Sequence, residues 1–452
     1  LVRRAWVDLL GLLPPPEEVE TFVGDSRSDA WERLVDRLLA NPHYGTRWGQ
    51  HWLDAAGYAD SEGSAAADGV YPLLWKYRDY VVRSVNTDKP YDRFLLEQLA
   101  GDELYDYRRL PRMTPEHEDS LVATGFLRTG IDPTTSPETN FLIDRFKVLA
   151  DTVEIVSSSL MGLTLRCARC HSHKYDPLPQ RDYYRFTAIF AAAYSPYEWI
   201  KPRDRFLELG GTRDREDLKA HNVGIDKQVA MIKAQIAKLT ETFRARYRKK
   251  PGNADKKVDE KTLAASFPGY KQQSAALQQQ IKAANGRKQS TPRVHGISDM
   301  REQPDPFFLL RRGEWDKRGR RVLPNVPMVL QQKMRLFQVK KPESGAPSSG
   351  ARLALARWLT EKRHPLTARV HVNRAWQHHF GRGLVATAED FGKTGTPPSH
   401  PGLLDWLAVD FVEHGWSLKR LHRLVLTSTT WRQESRIRTR PAAVDPDNRL
   451  LW

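Results

Sequence analysis

The 452 residues carry 71 Lys and Arg against 55 Asp and Glu, a formal net charge of +16, and 40% are hydrophobic. That length exceeds what one hydrophobic core supports and predicts two or three domains. No run of about 18 apolar residues occurs, which excludes a membrane-spanning helix. Residues 223–289 hold 15 Lys and Arg against 5 Asp and Glu, a net of +10, so most of the excess charge sits on one segment. A solvated basic helix pair explains this, and nucleic-acid binding is disfavoured. An anionic partner such as an acidic polysaccharide is the sharper alternative.

The chain opens inside a helix, Leu1 to Leu12, and stops abruptly at Leu450-Leu451-Trp452. It is expected to be a piece of a longer protein whose targeting segments lie elsewhere. A second helix begins near Glu17. A third, Ala30 to Ala40, has Trp31, Leu34, Val35, Leu38 and Leu39 as its apolar stripe and Ser28 or Asp29 as cap. In the next run, Tyr44 to Ser61, helical offsets place His51, Asp54 and Tyr58 on one face. That face is either an aromatic-rich core or the wall of a site. Helices over Tyr71 to Thr87 and Tyr91 to Leu104 follow, then a Pro- and Thr-rich loop from Gly130 to Asn140.

A helix from Ile143 to Met161 delivers the chain to Cys167-Ala168-Arg169-Cys170-His171-Ser172-His173-Lys174-Tyr175-Asp176-Pro177, which holds both cysteines. C-x-x-C-H is the attachment spacing of c-type haem. Two thiols add across the vinyl groups, and the next residue offers an imidazole to the iron. Two readings stand beside it. Cys167, Cys170, His171 and His173 are a crowded donor set for zinc or iron without haem, and a C-x-x-C pair is also a redox dithiol. On the haem reading Cys167 and Cys170 are the anchors and His171 the iron ligand, while His173 and Asp176 support that ligand or handle protons.

Asp182 begins a helix running to Ala193. Val229, Ile232, Ile236, Leu239 and Phe243 recur at offsets of 3 and 4, which is heptad spacing. Residues 224–284 therefore read as an antiparallel helical hairpin. Short apolar runs at Val294 to Ile297, Phe307 to Leu310 and Arg321 to Pro324 read as β-strands, and Lys341 to Gly350 as a linker. The last block is helical. Thr367 caps a helix carrying Arg369, His371, Asn373, Arg374, Trp376, His378 and His379, a polar density that is either structural or a site. Helices Leu403 to Glu413 and Leu418 to Ser428 complete it.

The runs Arg47-Trp48-Gly49-Gln50-His51-Trp52-Leu53-Asp54 and Cys167 to Tyr184 resemble the planctomycete cytochrome c-like domain of unknown function. Arg352 to Glu434 resembles its usual partner domain, through His364-Pro365-Leu366-Thr367, Val372-Asn373-Arg374, Phe380-Gly381-Arg382-Gly383 and Trp416-Ser417-Leu418-Lys419. The resemblance implies an exported bacterial protein, in the periplasm or at the cell surface, with a redox partner protein or an upstream cytochrome domain. By analogy it suggests oxidation of polysaccharide-derived substrates.

The expected fold is mainly α and multi-domain. A helical cytochrome c-like domain (1–222) precedes a basic coiled-coil hairpin (223–289), a small β-containing segment (290–340) and a helical C-terminal domain (351–452). The expected function is haem-c electron transfer or oxidation. A metal-dependent hydrolase or lyase without haem, and a non-catalytic surface-binding protein, are the alternatives. The helix with His51 and Asp54 is expected to face the helix with Arg374 and His378 across a cleft beside the haem edge. There Arg374 would hold an anionic or hydroxylated substrate while a histidine takes a proton.

Overall fold

A computed structural model describes residues 1–63, 68–253, 257–331 and 336–452. Among the described residues the chain is mainly α-helical, and its sheet content is two two-stranded sheets. No helix among them is long and apolar enough to cross a membrane. Contacts divide the chain into two compact units: residues 1–107, 114–207 and 293–452, and residues 108–113 with 208–292.

In the first unit, helices Val2–Leu10, Ala30–Ala40 and His43–Ala55 share a core with Leu418–Thr427. Ala30–Ala40 buries the expected stripe, Trp31, Leu34, Val35, Leu38 and Leu39. Its cap differs from expectation. Asp29 occupies the N-cap, but its carboxylate pairs with Arg33 at 2.9 Å instead of taking the helix's own N–H groups. Trp31 stacks on Trp431 with ring centroids 5.6 Å apart and donates its indole N–H to Leu426 O at 3.0 Å. The first helices and those spanning Leu418 to Arg432 thus finish one another's core.

Helix His43–Ala55 lies close against Trp75–Asn86 because two glycines face it. A Cβ on Gly45 would come within 2.4 Å of the Asn86 side chain, and Gly45 N–H donates to Asn86 Oδ1 at 2.8 Å. Tyr58 falls outside this helix: Gly57, at φ +69°, follows its end, so the expected shared face stops at Asp54.

The deepest polar feature is Arg352, fully buried in helix Ala351–Leu359. Its guanidinium grips Asp102 through two 2.8 Å bonds and reaches Asp299 at 2.8 and 3.1 Å, while Leu99 O accepts at 3.1 Å. Glu103 Oε1 lies 3.2 Å away, and Glu103 Oε2 accepts the Leu353 N–H. Burial pushes the Glu103 carboxyl up to about 8, against the pull of Arg352. Just before these acids, Gly101 lets helix Tyr91–Ala100 touch the next one. A Cβ there would stand 1.8 Å from Ser120 O. Gly101→Ala is therefore expected to cost about 3 kcal/mol, read as a lower urea midpoint at unchanged slope.

Helix Thr367–Phe380 begins at Thr367 itself, so Thr367 is not its cap. The imidazole of His364 does that work: its Nδ1 accepts the N–H of Leu366 (3.3 Å) and Thr367 (3.1 Å), and the Thr367 hydroxyl donates to it at 2.8 Å. Strand Phe307–Leu310 pairs antiparallel with Arg318–Val322 across a bulge between Phe308 and Leu310.

The second unit is a helical hairpin built from Thr212–Arg248 and Pro268–Gly286, with Glu260–Ser266 between them. Its apolar contacts fall into two clusters, Ile225, Val229 and Ala284 in one, and Phe243, Val258, Leu263 and Tyr270 in the other. Arg112 pairs with Asp214 and Asp217 at 2.6 and 2.8 Å.

Candidate functional site

The C-x-x-C-H run leaves helix Leu142–Met161 through Gly162 in the left-handed region and winds into a short 3₁₀ turn, Leu165–Arg169. Both thiols are unpaired and exposed. The turn is pinned from behind. The Tyr184 hydroxyl donates to Arg169 O at 2.9 Å, and the Gln180 amide donates to Arg169 O and Cys170 O at 2.9 and 3.0 Å. Gly313 lies against Cys170, where a Cβ would sit 3.0 Å from the sulfur.

The two histidines of the run point opposite ways. His171 is exposed, and its Nδ1 lies 2.6 Å from Ser172 O. A carbonyl only accepts, so Nδ1 carries the proton and Nε2 keeps a free lone pair facing outward. His173 is turned inward. Its Nδ1 accepts the N–H of Asp176 (2.9 Å) and Tyr175 (3.3 Å), which places the proton on Nε2, 3.3 Å from Thr164 Oγ1. Asp176 Oδ2 is 3.4 Å from His173 Nδ1, but that nitrogen already accepts, so the two do not form an ion pair. Asp176 Oδ1 instead takes the Lys393 N–H at 2.7 Å. The approach requires glycine at 392, where a Cβ would stand 2.5 Å from Asp176 Oδ2. His173 and Asp176 thus fold the loop and tie it to the 387–396 turn. Among the described residues no three His, Cys, Asp or Glu side chains converge as metal ligands.

The other group of expected residues does assemble. Helices His43–Ala55 and Thr367–Phe380 face each other, and the rings of His51 and His378 stack with centroids 3.6 Å apart. Between them opens a cavity lined by Trp48, His51, Tyr91, His371, Arg374 and His378 together with apolar neighbours. Burial holds His51 down to about 3 and His378 to about 4, helped in both by nearby Arg47. His371 stacks on Tyr91 at 3.8 Å, and burial followed by Arg374 lowers it to about 3. All three are therefore neutral at pH 7. Burial also lowers the Arg374 guanidinium from its ordinary value.

Asp54 is not in the lining. It accepts from Gln50 at 2.6 Å on the exposed side of its helix and acts on His378 only through its charge. Nor do Cys167, Cys170, His171, His173 and Asp176 line the cavity. The helix that leads to the motif contributes Ser159 to it.

Sequence reasoning passed over Tyr91, Ser159 and His422. His422 is fully buried, its ring tilted against Trp48 with centroids 3.8 Å apart and its Nδ1 2.7 Å from His379 Nε2. The signal was present: Leu418, Leu421, His422 and Val425 follow the i, i+3, i+4, i+7 rule of a buried stripe.

No curated protein and no solved structure matches the chain. Family models match at both ends, and the stretch between them, 195–350, is matched by neither. Residues 1–194 match the family model PSCyt2, protein of unknown function (DUF1549), and residues 351–452 match PSD1, protein of unknown function (DUF1553).

Proposed function

We propose that this chain is an extracytoplasmic c-type haem protein acting in electron transfer or oxidation, with Cys167 and Cys170 as thioether anchors and His171 as the iron ligand. The observation that carries the reading is the 2.6 Å contact between His171 Nδ1 and Ser172 O. A metal-binding imidazole typically donates its other N–H to a carbonyl or carboxylate, which fixes the ring and raises the basicity of the free nitrogen. His171 does so through Ser172 O, on the same turn as two unpaired, accessible thiols. The residues present fit the group. His173, by contrast, has both nitrogens engaged in folding the loop, which disfavours the zinc set.

When bound, haem would supply one-electron redox chemistry. The chain's own residues hold it: the Gln180 and Tyr184 bonds keep the turn rigid, so both anchors and the imidazole stay in register. All three are exposed, which suits electron exchange with a redox partner protein or an attached cytochrome domain.

Protein matured in a host with c-type assembly machinery is expected to carry one covalent haem, seen by haem stain and pyridine haemochrome spectrum. Cys167→Ala or Cys170→Ala should lose that stoichiometric two-thioether attachment. His171→Ala should retain the bound group but change its spin state. Correctly matured protein with stoichiometric zinc and no Soret band overturns the reading.

A further inference from the structure

The cavity between the His51 and His378 helices takes no part in the haem reading, yet it holds the molecule's most conspicuous unmet chemistry. Arg374 reaches into it with Nε and Nη2 buried and unpaired among the described residues. The nearest carboxylate oxygen, on the exposed Glu389, is 3.8 Å from Nη2, beyond hydrogen-bond reach. His51 Nε2 and His371 Nε2, both shielded from solvent, also lack partners there. The charged neighbours are already spent. Asp88 accepts from the Ser417 hydroxyl and the Lys419 N–H, and Lys89 pairs with Glu97. What is left is one guanidinium and neutral imidazoles in a largely desolvated space. Among the described residues Glu389 is the guanidinium's one carboxylate within 4 Å and is itself exposed, so Nε and Nη2 are left free to bond an anion inside the cavity.

Size and wall chemistry narrow it further. The cavity is about 70 Å³, room for a few waters. Trp52, Val85, Phe94 and Leu418 supply apolar walls. A tetrahedral inorganic anion would leave oxygens against those walls, whereas a short carboxylic acid presents its carboxylate to the guanidinium and its carbons to the aromatic rings. We propose that this cavity binds a small aliphatic carboxylate of about two to five carbons, gripped by Arg374 and hydrogen-bonded by His51 and His371. Trp48, edge-to-face with His51 at 5.1 Å, reports occupancy.

The test is titration of the full-length chain with acetate, propionate, butyrate, valerate and hexanoate, followed by calorimetry and tryptophan fluorescence. Sodium sulfate at matched ionic strength is the competitor. Affinity is expected to rise about fourfold per added methylene while the apolar walls are being covered, then fall once the space is full. Arg374→Gln should weaken binding at least about tenfold, the loss of a charge-assisted pair. Should that variant misfold, the chain-length series on the unaltered protein still decides, as does Ala375→Leu, which fills the cavity from the same helix. The double variant Cys167→Ser/Cys170→Ser should bind as the parent does, which separates this site from the haem reading. No heat or fluorescence change with any acid at tens of millimolar overturns the proposal, and so does equal displacement by sulfate or binding indifferent to Arg374→Gln.

Discussion

Arg352→Met is expected to destabilise the first unit by about 3–5 kcal/mol, the typical cost of removing one partner from a buried ion pair. The guanidinium is fully buried and makes two bonds to Asp102, two to Asp299 and one to Leu99 O. Met fills much of the same volume but leaves Asp102 and Asp299 facing each other without a cation. Glu103, pushed up to about 8 by burial, is largely neutral at pH 7 and adds little further negative charge to the pair. Thermal unfolding should fall on the order of 10 °C. Removing the carboxylates as well, in Arg352→Met/Asp102→Leu/Asp299→Leu, should recover part of the loss, because the penalty is an unpaired charge and not a missing attraction. An Arg352→Met midpoint within about 1 kcal/mol of the parent would show that the network is wetter than its burial implies.

Acid should destabilise the chain well above the range in which carboxylates titrate. Burial lowers His364 and His371 to about 3, and holds His422 well below its ordinary value. The sign follows from proton counting. Below the unfolded value of 6.5 the unfolded chain takes up protons that the folded one refuses, so stability is full above pH 6.5 and drains as pH falls towards the folded values. Each such histidine costs about 1.4 kcal/mol per pH unit, and the three together roughly 4 kcal/mol per unit. By pH 5 the loss is roughly 6 kcal/mol, enough to unfold a chain at the low end of the typical range of about 5–15 kcal/mol. Urea midpoints at pH 7, 6 and 5 measure this directly, and His364→Asn, which keeps a cap acceptor, should reduce the slope by about one proton. A flat midpoint from pH 7 to 5 would contradict it.

Helices were readable where a stripe was local. Ala30–Ala40 declares itself through five apolar residues, and Leu142–Met161 through Phe146, Leu149, Val153 and Val156. The convergence of His51, Arg374 and His378 was legible because each lies in a polar-aromatic run that a plain surface does not need. The Arg352 network was not. Arg352 occupies the buried stripe with Leu355, Ala356 and Leu359, but its partners stand 53 and 250 residues away, and no local pattern encodes such pairing. The loop-closing bonds of His173 and Asp176 were hidden for a related reason. Their proximity to the motif in sequence suggested chemistry, while their hydrogen bonds belong to loop closure and to Lys393.

The stacking of Trp31 on Trp431 bears on the time order of synthesis. Helix Ala30–Ala40 cannot complete its core until a residue 400 positions later has been made. At translation rates of about 5–20 residues per second, the interval is roughly 20–80 s. Throughout it, Trp31, Leu34 and Leu38 remain without their final cover, a stripe that holdase chaperones would be expected to shield. A ribosome stalled before codon 431 should therefore carry a nascent chain whose first helices are open to protease, however much of the middle has already folded.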